Sequence, residues 1–340
     1  MQKQLVFGAG LIGGYLSAML ARQGYKPLLV ARPRIVENLK SGLRVTDFEG
    51  HDHVVEALDM VSEDAAGEAM EVVWLTVKCT AIEQALDAMS RWVGPETMIL
   101  CCQNGLGSDA MVRQRFPDNV VRRVMVPFNV VTLTPAHYHR GSEGTLSVEV
   151  QEGADEALRA LVDQLNNPMM PVAVTTQMTA LQWAKLQLNL GNAVNALLNV
   201  PVKQMLESRD ARRVIARLMD ELLAVCRANH MSLPKVARLP GTWLPWVLRL
   251  PDWLFRRVAN SMLSIDPTVR TSMWWDLDAS RPTEIDYLNG AVVEAAQRAG
   301  IDCRANQHIV ALIKEVESTQ REGKPRCDLS ATQLWSIING

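Results

Sequence analysis

The 340-residue chain has almost no net charge, −2 from 35 basic and 37 acidic residues, and so lacks the basic stripe or tail that marks a nucleic-acid-binding protein. No run of 18 uninterrupted apolar residues exists, which excludes a helix spanning a bilayer. The N-terminus carries neither the apolar core nor the small-residue cleavage site of a signal peptide, so a cytoplasmic location is expected. Cys79, Cys101, Cys102, Cys226, Cys303 and Cys327 have neither C-x-x-C spacing nor the density of a disulfide scaffold, and are expected as reduced thiols. His51/His53 and His137/His139 are i, i+2 pairs suited to one face of a strand, but nothing nearby in sequence completes a ligand set, and no metal is expected. With 48% hydrophobic and 21% charged residues, the composition is that of an ordinary globular protein.

A further absence lies near the N-terminus. The chain opens with KQLVFGAGLIGGYLSAMLARQG, an apolar run ending in Gly8, Gly10 and Gly13, followed by helix-forming residues. In such a strand, turn and helix the first glycine makes the tight turn, the second lets backbone approach a pyrophosphate, and the third lets helix pack on strand. The backbone of Gly8, Gly10, Leu11, Ile12 and Gly13 is therefore expected to hold a dinucleotide at the helix N-terminus. Sites that prefer NAD place an acid about 20 residues further on, where it binds the ribose 2′-hydroxyl. Between Gly13 and Glu37 there is no acid. Arg32 and Arg34 stand instead just beyond the second apolar run, Leu28-Leu29-Val30, and their guanidinium forks suit a 2′-phosphate. The expected cofactor is NADPH.

The first half of the chain alternates strand and helix patterns, with EVVWLTV and TMILCC as runs apolar enough for parallel strands buried on both faces. From 122 to 150 the pattern becomes β-branched and glycine-punctuated, which suggests antiparallel strands. Beyond 177 it is almost entirely helical, with long helix-compatible runs at 178–199, 210–229 and 283–298. The expectation is an α/β Rossmann-type domain over 1–177 that binds NADP, and an all-α domain over 178–340 for substrate and dimerisation. In GTWLPWVLRLPDWLFRRV, Pro245 and Pro251 break any single amphipathic helix, so packing on the second domain or on another subunit is expected rather than a membrane contact. Trp243, Trp246 and Trp253 point to a homodimer.

Ligands of open α/β sheets bind outside the carboxyl ends of the strands, where Lys78 follows one apolar run and Asn104 another. Each has an ordinary alternative, a solvated loop lysine and an Asn-Gly turn. In MTALQWAKLQLNLGNAVNALLN, Lys185, Asn189 and Asn192 at i, i+4 and i+7 fall on one helix face, which looks either to water or to a polar ligand. Pro282 and Thr283 announce another helix, Thr283 with Asp286 matches a capping box, and Gly300 matches a C-terminal cap. Glu284 would then lie in the first turn, where an acid complements the macrodipole.

With the glycine motif, TVK, QNG, WAKLQLN and SMWWDLDASRPTEIDYLNG in this order, the sequence resembles the ketopantoate reductase (2-dehydropantoate 2-reductase) family over nearly its whole length. The resemblance implies NADPH-dependent reduction of a 2-keto acid to a 2-hydroxy acid, ketopantoate to pantoate in pantothenate biosynthesis, on a Rossmann domain joined to a helical one. It implies Lys185 as general acid supported by Glu284, Asn189 and Ser272 on the substrate, Asn104 between nicotinamide and substrate, and Arg32 and Lys78 at the 2′-phosphate end. Asn192 matches a second substrate-side Asn when one residue is deleted from the family register, and the segment 242–257 is longer than in compact members. A dehydrogenase of another keto or hydroxy acid, and a non-catalytic NADPH sensor, are the competing functions. A sensor has no need of a proton donor.

Overall fold

The computed structural model describes residues 2–235, 239–259, 266–326 and 328–339; Cys327 lies outside the described residues. The five other cysteines are buried and form no disulfide among the described residues, and burial pushes the thiols of Cys102 and Cys226 up to about 12. The chain divides into two compact units, Met1–Met178 and Thr179–Gly340.

The strands of the first unit are β1 (Gln4–Phe7), β2 (Leu28–Val30), β3 (Leu43–Asp47), β4 (Asp52–Val55), β5 (Asp59–Val61) and β6 (Val72–Leu75). Then follow β7 (Met98–Cys101), β8 (Val121–Met125), β9 (Val130–Thr134), β10 (His137–Arg140), β11 (Leu146–Glu149) and β12 (Val172–Thr175). Eight of them form one sheet in the order β12-β11-β8-β7-β6-β1-β2-β5. Every pairing in it is parallel except β8 with β11. All four residues of β1 and of β6 are buried, as their unbroken apolar runs require when both faces are covered. The chain passes from β1 through α1 (Leu11–Arg22) to β2 on one side, and later returns to β6 on the other. That reversal puts a topological switch point at the carboxyl end of β1, where the glycines stand.

A second sheet has the order β4-β3-β10-β9. Of the strands between 122 and 150, β9 pairs antiparallel with β10 and β8 with β11, but β10 runs parallel to β3 and β11 parallel to β12. With β8 also parallel to β7, the expectation of antiparallel strands holds for two of the five pairings, because local pattern does not reveal the distant partner of a strand. The β3–β4 hairpin has no counterpart in the sequence reading, since charged and histidine residues interrupt its apolar alternation. His51 falls in the turn before β4 rather than on a strand, while His137 and His139 both approach Thr46 Oγ1, at 2.9 Å each. Asp47, Glu49 and His51 bring ligand-type atoms within 4.8 Å of one another. The Asp47 carboxylate already accepts hydrogen bonds from the Glu49 and His51 backbone N–H groups and pairs with His51 Nδ1, which is a self-satisfied turn. Gly14 leaves room for Tyr138, whose ring a Cβ there would meet at 2.4 Å.

The remaining helices of the first unit are α2 (Pro33–Leu39), α3 (Ile82–Met89), α4 (Ser108–Arg115) and α5 (Glu156–Leu165). Those that follow are α6 (Met178–Asn189), α7 (Gly191–Leu198), α8 (Val202–Glu207), α9 (Arg209–Ala228), α10 (Leu244–Leu248) and α11 (Asp252–Val258). The chain ends with α12 (Ser272–Asp278), α13 (Asn289–Ala299), α14 (Arg304–Arg321) and α15 (Ala331–Asn339). Among the described residues, the regular elements of the second unit are all helices or 3₁₀ turns. Its long element is α9, capped by Ser208 and lined with buried Val214, Leu218, Leu222 and Val225. Buried Glu221 on α9 accepts the N–H groups of Ala305 and Asn306, satisfying the exposed donors at the start of α14.

Candidate active site

In the first unit the glycines are set for close backbone approach. Gly8 has φ +111°, and a Cβ there would lie 2.8–2.9 Å from Val77 atoms; a Cβ on Gly13 would lie 2.0 Å from the Gly8 carbonyl oxygen. Gly10 alone among the three faces open space. It is the N-cap of α1, with no side-chain cap and no acid in the first turn. Helix N–H groups left open in this way suit an anion, so these residues fit a dinucleotide pyrophosphate. Thr76 locks the turn, its Oγ1 donating to the Gly8 carbonyl at 2.7 Å.

The other first-unit candidates stand at the same carboxyl edge of the sheet. Lys78 follows β6 and caps a short 3₁₀ turn. Buried Gln103 donates from Nε2 to the carbonyls of Leu75 (2.7 Å) and Val77 (3.2 Å), joining the ends of β6 and β7. Cys79 Sγ then lies 2.9 Å from the Asn104 carbonyl, so Lys78 and Asn104, 26 residues apart, become neighbours. Arg32 is the N-cap of α2 directly after β2, and Arg34 lies in its first turn. Both are exposed, and neither guanidinium has a carboxylate partner among the described residues. A strong donor pair at the end of β2 with no acid beside it fits a 2′-phosphate.

In the second unit, the expected single helix over 178–199 is interrupted at Leu190, next to Gly191, a poor helix former. Around the interruption Lys185, Asn189 and Asn192 stay half-buried while Trp183, Ala184, Leu186, Leu190 and Ala193 are buried. The polar stripe therefore survives the break. Asn195 is fully buried: its Oδ1 accepts the Thr271 N–H and hydroxyl, both at 3.1 Å, and its Nδ2 donates to the Val200 carbonyl at 2.7 Å. The Thr271 hydroxyl also lies 3.3 Å from the Asn192 carbonyl. These bonds fix the start of α12 against α7 and bring Ser272 to the neighbourhood of Asn192. The side chains of Asn189, Asn192 and Ser272 make no hydrogen bond to the described protein. Asn195, Asn199 and Asn306 are consumed internally.

Glu284 is buried, but its helix differs from the expected one. It caps a single 3₁₀ turn, Ile285–Tyr287, and α13 begins only at Asn289 after an irregular Leu288. No capping box forms. Asp286 pairs with Lys314 at 2.6 Å, and the Thr283 N–H donates to Glu317 Oε1 of α14 at 2.7 Å. The competition is won by tertiary partners on α14, so the macrodipole does not account for Glu284. Gly300 does end the helix, with φ +66°. What Glu284 faces is Lys185. Burial drives the Lys185 ammonium down to about 8, and the negative charge of Glu284 resists that fall. An amine held near neutrality by burial against an acid is suited to proton transfer.

Thr76, Gln103, Asn195, Thr271 and Glu317 escaped the sequence reading. Asn195, three residues beyond Asn192 on an apolar helix, and Thr271, directly before Ser272, were the available signals. The others act through backbone groups that no side-chain pattern announces.

A dinucleotide fold joined to a helical unit in which a half-buried lysine faces a buried glutamate defines an oxidoreductase, and the chain matches the family description "Ketopantoate reductase PanE/ApbA" over residues 4–153 and its "C terminal" counterpart over 177–317. The chain belongs to the ketopantoate reductase PanE/ApbA family, oxidoreductases acting on CH–OH groups with NAD(P). It is 23% identical over 324 residues to a 2-dehydropantoate 2-reductase of Archaeoglobus fulgidus, covering 94% of this chain and 99% of that one. A PanE/ApbA family ketopantoate reductase from Ralstonia eutropha JMP134 superposes with TM-score 0.77 at 27% identity, over 94% of this chain and 99% of that one. D-mandelate dehydrogenase with NADH and anilino(oxo)acetate shares the fold at TM-score 0.76 and 19% identity, over the same two shares.

Proposed function

We propose that this protein reduces a 2-keto acid to the 2-hydroxy acid with NADPH, and that its substrate is ketopantoate, giving pantoate for pantothenate biosynthesis. The observation that carries the reading is the Lys185 ammonium, lowered by burial and supported by Glu284, on the helix that also presents the unpartnered Asn189. Gly8, Gly10, Leu11, Ile12 and Gly13 hold the pyrophosphate, Arg32 with Lys78 the 2′-phosphate end, and Asn104 the nicotinamide side of the substrate. When bound, the dinucleotide supplies a hydride to the keto carbon. Lys185 Nζ hydrogen-bonds the carbonyl oxygen, stabilises the negative charge that grows there and gives up its proton. Such an acid is typically worth about 10²–10⁴-fold in rate. Glu284 keeps that amine protonated near neutral pH and orients it. Asn189, Asn192 and Ser272, which have no internal hydrogen bonds to break, bind the substrate carboxylate and hydroxyl.

A second substrate reading has its own support. Trp275 is 54% exposed on α12, three residues and so about one turn from Ser272. An aromatic side chain beside the substrate serine favours a 2-keto acid with an aryl substituent, the class to which the keto form of mandelate belongs. Incubation with NADPH and either ketopantoate or phenylglyoxylate, followed by chromatographic identification of the hydroxy acid, separates the two. Pantoate formed in preference supports the first reading. Preference for mandelate supports the second, and neither product removes both.

A further inference from the structure

We propose that α10 and α11 form a docking surface for the headgroup layer of an anionic phospholipid bilayer. Half of this segment packs on its own unit, as expected: Leu244, Val247, Leu248 and Phe255 are buried. Buried Arg212 of α9 pins it. Its Nε donates to the Leu248 carbonyl at 3.1 Å, its Nη2 donates to the Leu250 carbonyl at 3.1 Å and to Asp252 Oδ1 at 2.7 Å, and its guanidinium lies 4.1 Å from the Phe255 ring centroid. The entry to the segment is tied as well, by Gln187 Nε2 to the Gly241 carbonyl at 2.7 Å.

Fixed in this way from one side, the segment turns Trp243, Trp246 and Trp253 outward, 59%, 61% and 71% exposed. Pro245 sits in the first turn of α10 and Pro251 caps α11, so the segment forms two short helices, with Trp243 in the 3₁₀ turn before them, Trp246 on α10 and Trp253 on α11. Indole joins a large apolar ring to one N–H donor, a combination that settles at the boundary between headgroups and acyl chains. Charge selects the kind of lipid. From Trp243 to Val258 there are three arginines and one aspartate. Asp252 is committed to Arg212 and Arg249 to Asp220, whereas Arg256 and Arg257 have no ion-pair partner among the described residues. A second copy meeting this surface would gather four such arginines in one interface, and the segment's one acid, Asp252, is already committed to Arg212, whereas an anionic lipid layer would neutralise them. Among the described residues no helix is long and apolar enough to cross a membrane, so the association is peripheral.

The test is sedimentation of the full chain with vesicles of phosphatidylcholine alone and of phosphatidylcholine mixed with phosphatidylglycerol, with tryptophan emission recorded. Binding to the mixed vesicles only, with a blue shift and loss at high salt, is expected. Replacing both cations, Arg256→Gln with Arg257→Gln, should weaken partitioning about fivefold per arginine. Trp246→Ser with Trp253→Ser should remove the blue shift. Both variants should keep the wild-type melting temperature. Binding to neither vesicle, or equal binding to both, overturns the proposal. So does a dimer, seen by light scattering without vesicle binding, that the tryptophan substitutions split; this would assign the surface to a second copy.

Discussion

Glu284 holds up the proton affinity of Lys185 against the burial that lowers it to about 8. If Lys185 is the general acid, keto acid reduction needs its protonated form. The rate should therefore be flat below the lysine pKa and fall about tenfold per pH unit above it. Glu284→Gln removes the opposing charge, so the alkaline limb should move to lower pH. A pH profile of kcat for the two proteins checks this; an unmoved limb would separate Glu284 from the titration.

Lys185→Ala should lower kcat by about 10²–10⁴-fold. NADPH binding, measured by quenching of protein fluorescence, should change little. A parallel loss of binding would give Lys185 a structural role.

Gly10 and Gly13 should respond oppositely to one added methyl group. A Cβ on Gly13 meets the Gly8 carbonyl oxygen at 2.0 Å, an overlap expected to cost about 1–3 kcal/mol or more, visible as a lower melting temperature. A Cβ on Gly10 meets nothing within 4 Å. Gly10→Ala should therefore fold normally and lose dinucleotide affinity, because the methyl group fills the space the pyrophosphate needs.

Asn195→Ala removes the acceptor that holds Thr271 and leaves buried groups without partners, which costs about 1–3 kcal/mol. With Ser272 no longer fixed beside Asn192, KM for the keto acid should rise more than kcat falls, while NADPH affinity stays. Calorimetry and steady-state kinetics together check the split.

The first unit was legible where the signal is local and continuous. The glycine turn, the runs at Val72–Leu75 and Met98–Cys101 and the missing acid before Glu37 are each contained in a few residues. The four-stranded sheet was not, because the pairing of β10 with β3 joins residues about 90 apart and leaves no periodic trace. In the second unit the stripe of Lys185, Asn189 and Asn192 could be read from helical spacing. The neighbourhood of Glu284 could not: sequence favoured a capping box at Thr283, and Glu317 and Lys314 on α14 took the partners that box required. Arg212 was equally hidden, a charged residue on a helix that spacing alone would leave in water, yet fully buried under carbonyl oxygens.

The central claim is NADPH-dependent reduction of a 2-keto acid, with Arg32 selecting the phosphorylated cofactor. Its most direct test is kcat/KM for NADPH and for NADH with ketopantoate as substrate, in the wild type and in Arg32→Ala. The account predicts turnover with strong NADPH preference, and a preference reduced by the substitution chiefly through weaker NADPH binding. Equal use of both cofactors by the wild type, or a preference for NADH, would contradict it.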